Sequence, residues 1–284
     1  MAELNVRSAE PADLDATAAL LALCFPSAQK FTTAFLRWQY YANPVGPPMG
    51  CIIDDGTRLI GHLMGIPIEV TLRGERRLVT LIMNIAVHPS QRGRGLIKTL
   101  VNHVIAASAE HGHAGVIGVA NQNSVAAFEH KLGFQNVAGL QAHIEWLPHR
   151  ITMDSALTQA EFFHSWSDAS LTWRMSSPAN PLRIVGHSHD SLIVEGAASV
   201  PLLRARAVIA RTDLTLTAHG NALHRPAVVI GLAPSDSQQR RLALTIPQCL
   251  RPSPLRLIYF DHNDRQARLD AKRVLFNFLD FDAF

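Results

Sequence analysis

The stretch Val87–Leu100, VHPSQRGRGLIKTL, joins two elements of different periodicity. The run before it, LVTLIMNIAV (78–87), is apolar almost throughout and predicts a buried strand, whereas apolar residues recur at helical spacing from Leu96 onward. Gly93 and Gly95 lie at the junction, where they allow a tight turn and a close approach of the backbone to a ligand. A loop that enters a helix also presents unpaired N–H groups at the positive end of the helix dipole.

The charges of this stretch indicate what such a loop could bind. Arg92, Arg94 and Lys98 place three cations at the start of the helix, where the dipole disfavours them unless an anion is bound. A phosphate-bearing ligand is therefore favoured over a turn with solvated charges. The GxGxxG pattern would need a glycine at position 98, and GxxxxGK[ST] is absent, which disfavours a dinucleotide-binding dehydrogenase or a P-loop kinase.

Composition limits the class of protein. The chain has 284 residues, of which 48% are hydrophobic, enough for one large or two ordinary domains. Its first residues lack the order of a signal peptide and its apolar runs are too short for a membrane span, so we expect a soluble, cytoplasmic protein. Three scattered cysteines predict reduced thiols. A net charge of +3 without dense Lys/Arg runs suits an acidic small molecule better than nucleic acid.

The order of predicted elements indicates a mixed α/β domain over residues 1–148. A short strand is followed by helices near 14–25 and 32–41, a three-strand meander, a helix from Leu96, a buried strand, a helix capped by Asn123 or Ser124, and a final strand. That strand is FQNVAGLQAHIEWL (134–147), with a bulge expected at Gly139. Pro148 and a new helical pattern place a domain boundary there, so residues 149–284 form a second domain.

The second domain carries a faint echo of the first. Trp38 precedes Asn43-Pro44 as Trp173 precedes Asn180-Pro181, which favours a duplicated unit over coincidence. Both tryptophans are predicted core anchors, with substrate stacking as the alternative. Five runs predict strands, DHNDR (261–265) predicts a helix start, and the terminal FNFLDFDAF (276–284) predicts an edge strand. The five runs are SLIVEG, RAVIAR, LTLTAHG, PAVVIGL and RLIYF.

Two motifs resemble those of the GNAT superfamily of acyl-CoA-dependent N-acyltransferases. RGRGLI (92–97) is similar to the signature [QR]-x-x-G-x-[GA], and NQNSVAAFEHKLGF (121–134) is similar to a later helix of the family. The resemblance implies a mostly antiparallel sheet flanked by helices, with a second GNAT-like domain, and acetyl-CoA or another acyl-CoA as co-substrate. It also implies a set of cofactor-binding residues. Arg92, Gly93, Arg94, Gly95, Leu96 and Ile97 would hold the pyrophosphate, and the backbone of Ala86 and Val87 would bind the pantetheine. Asn121 or Asn123 would contact the pantetheine arm, with Phe128 packed beside it.

The sequence departs from the family pattern at two places. Ile97 replaces the small residue of the signature, and Glu129 occupies the place of a tyrosine that protonates the leaving thiolate in many members. The family's usual base is a carboxylate on or near the fourth strand, and in LIMNIAV (81–87) the only polar side chain is that of Asn84, which could orient a water or the amine. The catalytic candidates are therefore Asn84, Glu129 and Glu69, with His62 as a further possible base.

These observations predict an N-acyltransferase that transfers an acetyl or short acyl group from acyl-CoA to a small amine, such as an amino sugar or an amino acid. The second domain lacks a counterpart of the RxxGxG loop and is expected to shape the acceptor pocket. Two alternatives stay open: a catalytically silent CoA-binding or sensor module, and a transferase that uses an acyl-carrier or aminoacyl-tRNA donor. We expect no metal, nucleic-acid or membrane partner; an oligomer is compatible with the sequence.

Overall fold

The computed structural model describes residues 4–146, 153–198, 200, 202–218, 226–234, 243–247, 251 and 254–281. The helices are α1 (Leu14–Cys24), α2 (Thr33–Tyr41), α3 (Leu96–Glu110), α4 (Gln122–Leu132), α5 (Met153–Gln159) and α6 (Asp168–Met175). The strands are β1 (Asn5–Ser8), β2 (Met49–Asp54), β3 (Leu59–Leu72), β4 (Glu75–Val87), β5 (Gly115–Ala120), β6 (Gln135–Gly139), β7 (Gln141–Glu145), β8 (Phe162–His164), β9 (Arg183–His187), β10 (Ser191–Ala197), β11 (Arg204–Ala210), β12 (Ala227–Leu232), β13 (Ala243–Thr245), β14 (Arg256–Asp261) and β15 (Val274–Asn277). Within these residues, no helix combines the length and apolarity that a bilayer span requires.

Side-chain caps fix the starts of two helices near the predicted site. The Thr32 hydroxyl accepts a hydrogen bond from the Phe35 amide at the start of α2, at 3.2 Å. At α4 the side chain of Asn121 accepts from the amide of Ser124, at 3.1 Å. Each cap satisfies an amide that has no partner inside its helix. The prediction for α2 is confirmed, whereas α4 begins slightly earlier than expected because Asn121, rather than Asn123, is its cap.

The first half of the chain forms a sheet with the order β1-β2-β3-β4-β5-β14-β6. All neighbours in it are antiparallel except β4 and β5, which are parallel. The predicted meander of β2, β3 and β4 is confirmed. The parallel pair requires a crossover, and α3 makes it. The predicted fold class, a mixed and mostly antiparallel sheet flanked by helices, is therefore correct.

The second half repeats this arrangement. Its strands follow the order β9-β10-β11-β12-β7-β13, and here too a single parallel pair, β11–β12, stands among antiparallel neighbours. Strand by strand, this order corresponds to β2-β3-β4-β5-β14-β6 in the first half. The duplication that the tryptophan echo suggested is thus visible in the strand pairing, and the second half is GNAT-like in topology.

The two halves exchange one strand each. β14 comes from the second half but lies between β5 and β6, whereas β7 comes from the first half and pairs with β12 and β13. The single strand expected over FQNVAGLQAHIEWL is in fact two strands of different sheets, separated at Leu140. The domain boundary at 148/149, between domains 1–148 and 149–284, stays a prediction, and strands from each side of it pair with strands from the other.

The C-terminal segment occupies an unexpected position. β7 pairs along one edge of β12, so β11 and β15 share the other edge: β11 at Ala227 and Val228, β15 at Gly231 and Leu232. β15 therefore fills the gap where β11 and β12 diverge. The terminal run was predicted as an edge strand; its described part is instead an internal strand followed by a 3-10 turn, Phe278–Asp280.

Two further expectations for the second half are wrong. The run LTLTAHG (214–220) forms no strand over its described residues 214–218, and residues 219–220 lie outside the described part of the chain. DHNDR (261–265) ends β14 and enters a turn instead of starting a helix. In the first half the corresponding connection holds α3, so the described second-half residues 211–218 carry no equivalent of the helix that follows the predicted phosphate loop.

Helices cover both faces of the first sheet. On one face, α1 and α2 bury Leu20, Phe35 and Tyr40 against apolar side chains of β3 such as Met64. On the opposite face, α3 and α4 bury a second cluster, which includes Leu100, Val104, Phe128, Leu63 and Ile82. A third cluster lies in the second half and contains Leu192, Val194, Ala207 and Leu279. The alternation of side chains along β3 and β4 thus assigns each residue near the predicted site to one face.

Candidate acyl-CoA site

A β-bulge in β4 opens the sheet next to the glycine-arginine loop. β3 and β4 pair Met64 with Met83 and His62 with Ala86, so β4 contains one extra residue between these pairs. Asn84 lies in the bulge and has a left-handed backbone with φ of 55°, a conformation that asparagine tolerates better than most residues. The bulge bends β4 away from its parallel neighbour.

The parallel pairing of β4 and β5 ends at Ile82 and Gly118. Beyond that point the two strands separate, and β5 continues to Ala120 while paired with β14 on its other edge. No described strand covers the edge of β5 at Val119 and Ala120. The result is a split between β4 and β5 that begins at the bulge; we refer to it as the β4–β5 split.

The end of β4 turns its backbone groups into this split. The amide of His88 donates to the carbonyl of Ile60 on β3, at 2.8 Å, and hydrogen-bonding direction alternates along a strand. Ala86 therefore directs its backbone groups toward β3, whereas Val87 directs them toward the split. The carbonyl of Val87 accepts a weak hydrogen bond from Arg92 Nε, at 3.4 Å. Of the two residues predicted to bind pantetheine, Val87 has the suitable orientation.

The glycine-arginine stretch forms the predicted loop at the end of the split. A 3-10 turn, Pro89–Gln91, follows β4, and Gly95 is the N-terminal cap of α3. Gly93 and Gly95 have φ of 80° and 76°, which favour glycine. No atom of the described residues lies within 4 Å of the place where a Cβ would sit at either glycine. Backbone conformation rather than crowding therefore requires glycine here.

Five consecutive amides of this loop lack acceptors. Among the described residues, none accepts a hydrogen bond from the N–H groups of residues 93–97. Arg92, Arg94 and Lys98 are exposed around them, and Arg94 binds the side chain of Gln91. Unpaired amides at a helix N-terminus, together with nearby cations, form an anion-binding arrangement. The residues predicted to hold a pyrophosphate are thus brought together.

Ile97 departs from the family signature, but its larger side chain does not block this arrangement, because it does not pack inward. Its side chain is 37% exposed, whereas that of the preceding Leu96 is only 7% exposed and packs in the core under α3. The amide of Ile97 is one of the five without an acceptor. The larger side chain therefore lies at the surface, and the backbone group that the signature provides is retained.

The residues predicted on α4 divide into structural and accessible ones. Asn121 uses its side-chain oxygen to cap the helix, and Phe128 is buried, with its ring 5.0 Å from that of Phe134. Asn123 is exposed in the first turn of α4. Its position leaves its side chain available to a ligand, whereas Phe128 shapes the core below.

Asn84 is held in a polar network on the α2 face of the sheet. Its Nδ2 lies 2.6 Å from Gln39 Oε1 and 2.7 Å from the Tyr40 hydroxyl. The Tyr40 hydroxyl lies 3.2 Å from Nε2 of His62. Burial lowers the pKa of His62 to about 3, so its imidazole is neutral at physiological pH. The sequence pointed to Asn84 and His62 but missed Gln39 and Tyr40, whose only signal was their helical spacing on α2.

The structure does not bring the two predicted carboxylates to Asn84. Glu129 is exposed on α4, on the opposite face of the sheet, where it accepts a hydrogen bond from Asn136 at 3.3 Å and lines a shallow cavity of about 370 Å³ with Arg268. Glu69 lies on β3 five residues beyond Met64, which amounts to roughly 17 Å along a strand. Their catalytic assignments stay predictions without a shared site.

The sequence contains two H-x-H pairs with a spacing that could bind a metal, His111/His113 and His187/His189, and their surroundings differ. His113 of HGHAG is buried and lies 2.8 Å from the Thr80 hydroxyl. His189 of GHSHD approaches Asp154 and Asp190, with ligand atoms within 4.8 Å of one another, but His189 and Asp154 are exposed. Asp190 already accepts a hydrogen bond from the Met153 amide, at 2.7 Å. The expectation that the protein uses no metal stays a prediction.

Solved structures with the same fold extend over most of the chain. A probable N-acyltransferase from Enterococcus faecalis aligns with a TM-score of 0.62 and 10% identity, covering 91% of this chain and 73% of that one. A GCN5-related N-acetyltransferase from Kribbella flavida gives 0.61 and 14%, covering 91% and 71%. Another from Anabaena variabilis gives 0.60 and 11%, covering 92% and 73%. At such low identity these likenesses show the fold.

The sequence itself matches a family model. Residues 5–137 match the acetyltransferase (GNAT) domain, a range that includes α1 to α4, the bulge in β4 and the five unpaired amides. No curated protein matches the chain. The β4–β5 split and the loop before α3 both lie within this range, and residues 5–137 are therefore similar to the acetyltransferase domain of the GNAT superfamily.

Proposed function

We propose that the protein is an N-acyltransferase that transfers an acetyl or short acyl group from acyl-CoA to the amine of a small molecule. The observation that carries this proposal is the run of five unpaired amides at residues 93–97, which ends the β4–β5 split of a GNAT domain and is surrounded by exposed cations. A diphosphate is the anion that suits such a row of donors. We place the enzyme in the cytoplasm.

The chain's own groups supply the binding. Acyl-CoA provides an acyl group already activated as a thioester. Residues 92–97 hold its pyrophosphate, the backbone of Val87 binds the pantetheine arm in the split, and Asn123 contacts it from α4. Amide donors in the split also stabilise negative charge that develops on the thioester oxygen during attack. A neutral amine then displaces the thiolate directly, with both reactants held in one groove.

The three catalytic candidates differ in how well geometry supports them. Asn84 lies at the bulge, where the split begins, and is in a position to orient the amine. Glu129 and Glu69 are far from it, which favours water as the immediate proton acceptor. A thiolate is a tolerable leaving group at neutral pH, so a dedicated general acid is not required. We therefore assign to Asn84 the role of orienting the amine.

The acceptor approaches from the face covered by α1 and α2, because the Asn84 side chain lies on that face, against Gln39 and Tyr40 of α2. Trp38 of α2 contacts Trp173 of α6, so the second half supports the helix that carries Gln39 and Tyr40. This arrangement suits a small amine, such as an amino sugar or amino acid, bound near the junction of the halves. The competing functions are a silent CoA-binding sensor and a transferase with an acyl-carrier or aminoacyl-tRNA donor.

Calorimetry with acetyl-CoA, followed by a thiol-release screen against a panel of amines, tests the proposal. We expect one CoA per chain, binding that weakens with salt, and turnover of at least one amine. Arg92→Ala should weaken CoA binding, whereas Arg183→Ala, at an exposed position on β9, should not. Absence of CoA binding at millimolar concentration would refute the proposal. Binding without turnover of any amine would favour the sensor.

A further inference from the structure

The polar network behind the bulge uses both hydrogens of one amide group. Asn84 Nδ2 has two hydrogens, and two acceptors lie within reach: Gln39 Oε1 at 2.6 Å and the Tyr40 oxygen at 2.7 Å. Among the described residues, none donates a hydrogen bond to Asn84 Oδ1. Gln39 and Tyr40 are 2% and 0% exposed, so water does not compete for these contacts.

Tyr40 determines which way the Asn84 amide faces. Its hydroxyl has one hydrogen, and Nε2 of His62 lies 3.2 Å away. His62 is 1% exposed and stays neutral, since burial lowers its pKa to about 3. A neutral imidazole that accepts at Nε2 fixes the Tyr40 hydrogen on His62, and the Tyr40 oxygen is then left as an acceptor. The amide orientation of Asn84 follows from this network.

The nearby charges leave the neutral state of His62 intact. Among the described residues, Asp13 is the charged group that acts on His62 appreciably, and it favours the protonated form less strongly than burial opposes it. Asp13 is itself bound by Arg7, with two oxygen–nitrogen contacts of 2.6 and 2.9 Å. The acid is thus largely neutralised by its own partner, so His62 stays neutral and, in the tautomer that carries its hydrogen on Nδ1, accepts from Tyr40 at Nε2.

Backbone conformation alone does not account for an asparagine at this position. With φ of 55°, glycine would adopt the bulge more easily. The side chain is half-buried on the α2 face, where the β4–β5 split begins. A carbonyl oxygen placed there without an internal donor is suited to accept an N–H group, and the hydrogen bond strengthens as an attacking amine gains positive charge.

We propose that His62, Tyr40 and Gln39 are positioning residues that lock the Asn84 side chain with its oxygen toward the split, where this oxygen binds the acceptor amine. The inference rests on the proposed function and specifies how its acceptor is held. In the reaction the amine nitrogen forms a bond to the acyl carbon as the carbon–sulfur bond breaks. The amine proton passes to water and the thiolate leaves or is protonated by water. Asn84 moves no proton.

His62→Phe is the direct test. It keeps a flat ring against Tyr40 but removes the acceptor, which frees the Tyr40 hydrogen to bind Asn84 Oδ1 and turns the amide so that Nδ2 faces the amine. Two donors then oppose each other, and we expect kcat/KM for the amine to fall about tenfold or more. CoA affinity should not change. His62→Gln restores an acceptor for Tyr40 and should recover much of the activity.

A matched control separates this effect from general destabilisation. His113→Phe also removes a buried histidine with hydrogen-bonding partners, but it lies beyond the C-terminal end of α3, away from the bulge. We expect it to lower the free energy of unfolding without changing kcat/KM for the amine. Equal losses of kcat/KM for the amine in His62→Phe and His113→Phe, or failure of His62→Gln to recover activity, would overturn the proposal.

A second readout keeps the proposal testable if no amine is turned over. Side-chain amide NMR signals of Asn84 report whether both Nδ2 hydrogens are bound. In the unmodified chain both should exchange slowly with solvent, and in His62→Phe the one that bound Tyr40 should lose protection. Unchanged Asn84 signals in His62→Phe would overturn the positioning network. The proposed function itself is tested separately, by CoA binding and amine turnover.

Discussion

Trp38 and Trp173 bind each other reciprocally. The indole Nε1 of Trp38 donates to the main-chain carbonyl of Trp173 at 3.1 Å, and Nε1 of Trp173 donates to the carbonyl of Trp38 at 3.0 Å. Their rings stack with centroids 5.4 Å apart. A contact in which each residue plays the same part for the other is the mark of a two-fold relationship. It identifies α2 and α6 as counterparts and lies where the two repeated halves meet.

This pair makes a prediction about stability. Trp173→Phe keeps an aromatic ring but removes the donor and leaves the carbonyl of Trp38 without it, so we expect a loss of about 1–2 kcal/mol in the free energy of unfolding. Trp38→Phe should cost a similar amount. Because the two side chains share one contact, the double variant should lose less than the sum. Urea unfolding of the four proteins measures this, and strict additivity would contradict a shared contact.

The duplication was predictable from sequence, but the exchange of strands was not. The Trp–Asn–Pro echo is local, so a reader of the sequence meets both copies directly. Placement of β14 depends instead on pairing with β5, more than a hundred residues earlier. Its sequence RLIYF is apolar on both faces and fits the middle of either sheet. Periodicity predicts that such a strand is buried, but not which strands it lies between.

Acid should weaken the folded state before carboxylates titrate. Burial lowers the pKa of His62 to about 3 and lowers those of His113 and His262. The unfolded chain, with histidine pKa near 6.5, therefore binds more protons below that pH, and the buried His62 lowers the free energy of unfolding by up to about 1.4 kcal/mol per pH unit. For His62 the loss begins near pH 6.5 and continues toward pH 3, and the other two histidines add to it in the same direction.

Urea unfolding between pH 7.5 and 4.5 measures this dependence. Burial opposes ionisation of Asp261, but hydrogen bonds and Arg73 lower its pKa from 3.8. Its contribution to the free energy of unfolding is therefore lost only at still lower pH and does not affect the upper part of this pH range. His62→Phe should reduce the slope. A free energy of unfolding that is constant from pH 6.5 to 5 would show that these histidines are not held neutral by the fold.

The phosphate loop offers a comparison between two glycines. Gly95→Ala and Gly74→Ala both place a side chain on a left-handed backbone, with φ of 76° and 84°, and neither Cβ would come within 4 Å of an atom in the described part of the chain. Each should therefore cost a similar strain, about 1–2 kcal/mol. Gly74 lies in the turn between β3 and β4, far from the loop. Only Gly95→Ala should weaken CoA binding, by roughly tenfold, because it displaces the amides at residues 93–97.

Calorimetry and thermal unfolding of the two variants provide the measurements. Equal CoA affinity in both would contradict the assignment of the loop.

The phosphate loop could be predicted from sequence because tight turns and helix starts depend on residues that are adjacent in the chain. The network of Asn84, Tyr40 and His62 could not be predicted, since it joins a helix and two strands that only folding brings together. For Glu129, a motif position suggested a role, but the face of α4 places its side chain away from the bulge, so that role stays a prediction.

From the position of the C-terminal segment, we expect the second half to bind no CoA. β15 fills the gap between β11 and β12 that corresponds to the β4–β5 split, and Arg174 Nε binds the carbonyl of Leu279 at 2.7 Å. Asp280 is 2% exposed; it binds the amide of Asn277 at 2.6 Å and lies 3.1 Å from His164 Nδ1.

Asp280→Ala removes both contacts and should lower the free energy of unfolding by about 2 kcal/mol or more. Hydrogen exchange should then lose protection first in β15 and at Gly231. CoA stoichiometry should stay at one, since the sequence after β11 has no counterpart of the RxxGxG motif. A second CoA bound to the Asp280→Ala variant, or unchanged protection of β15, would contradict this account.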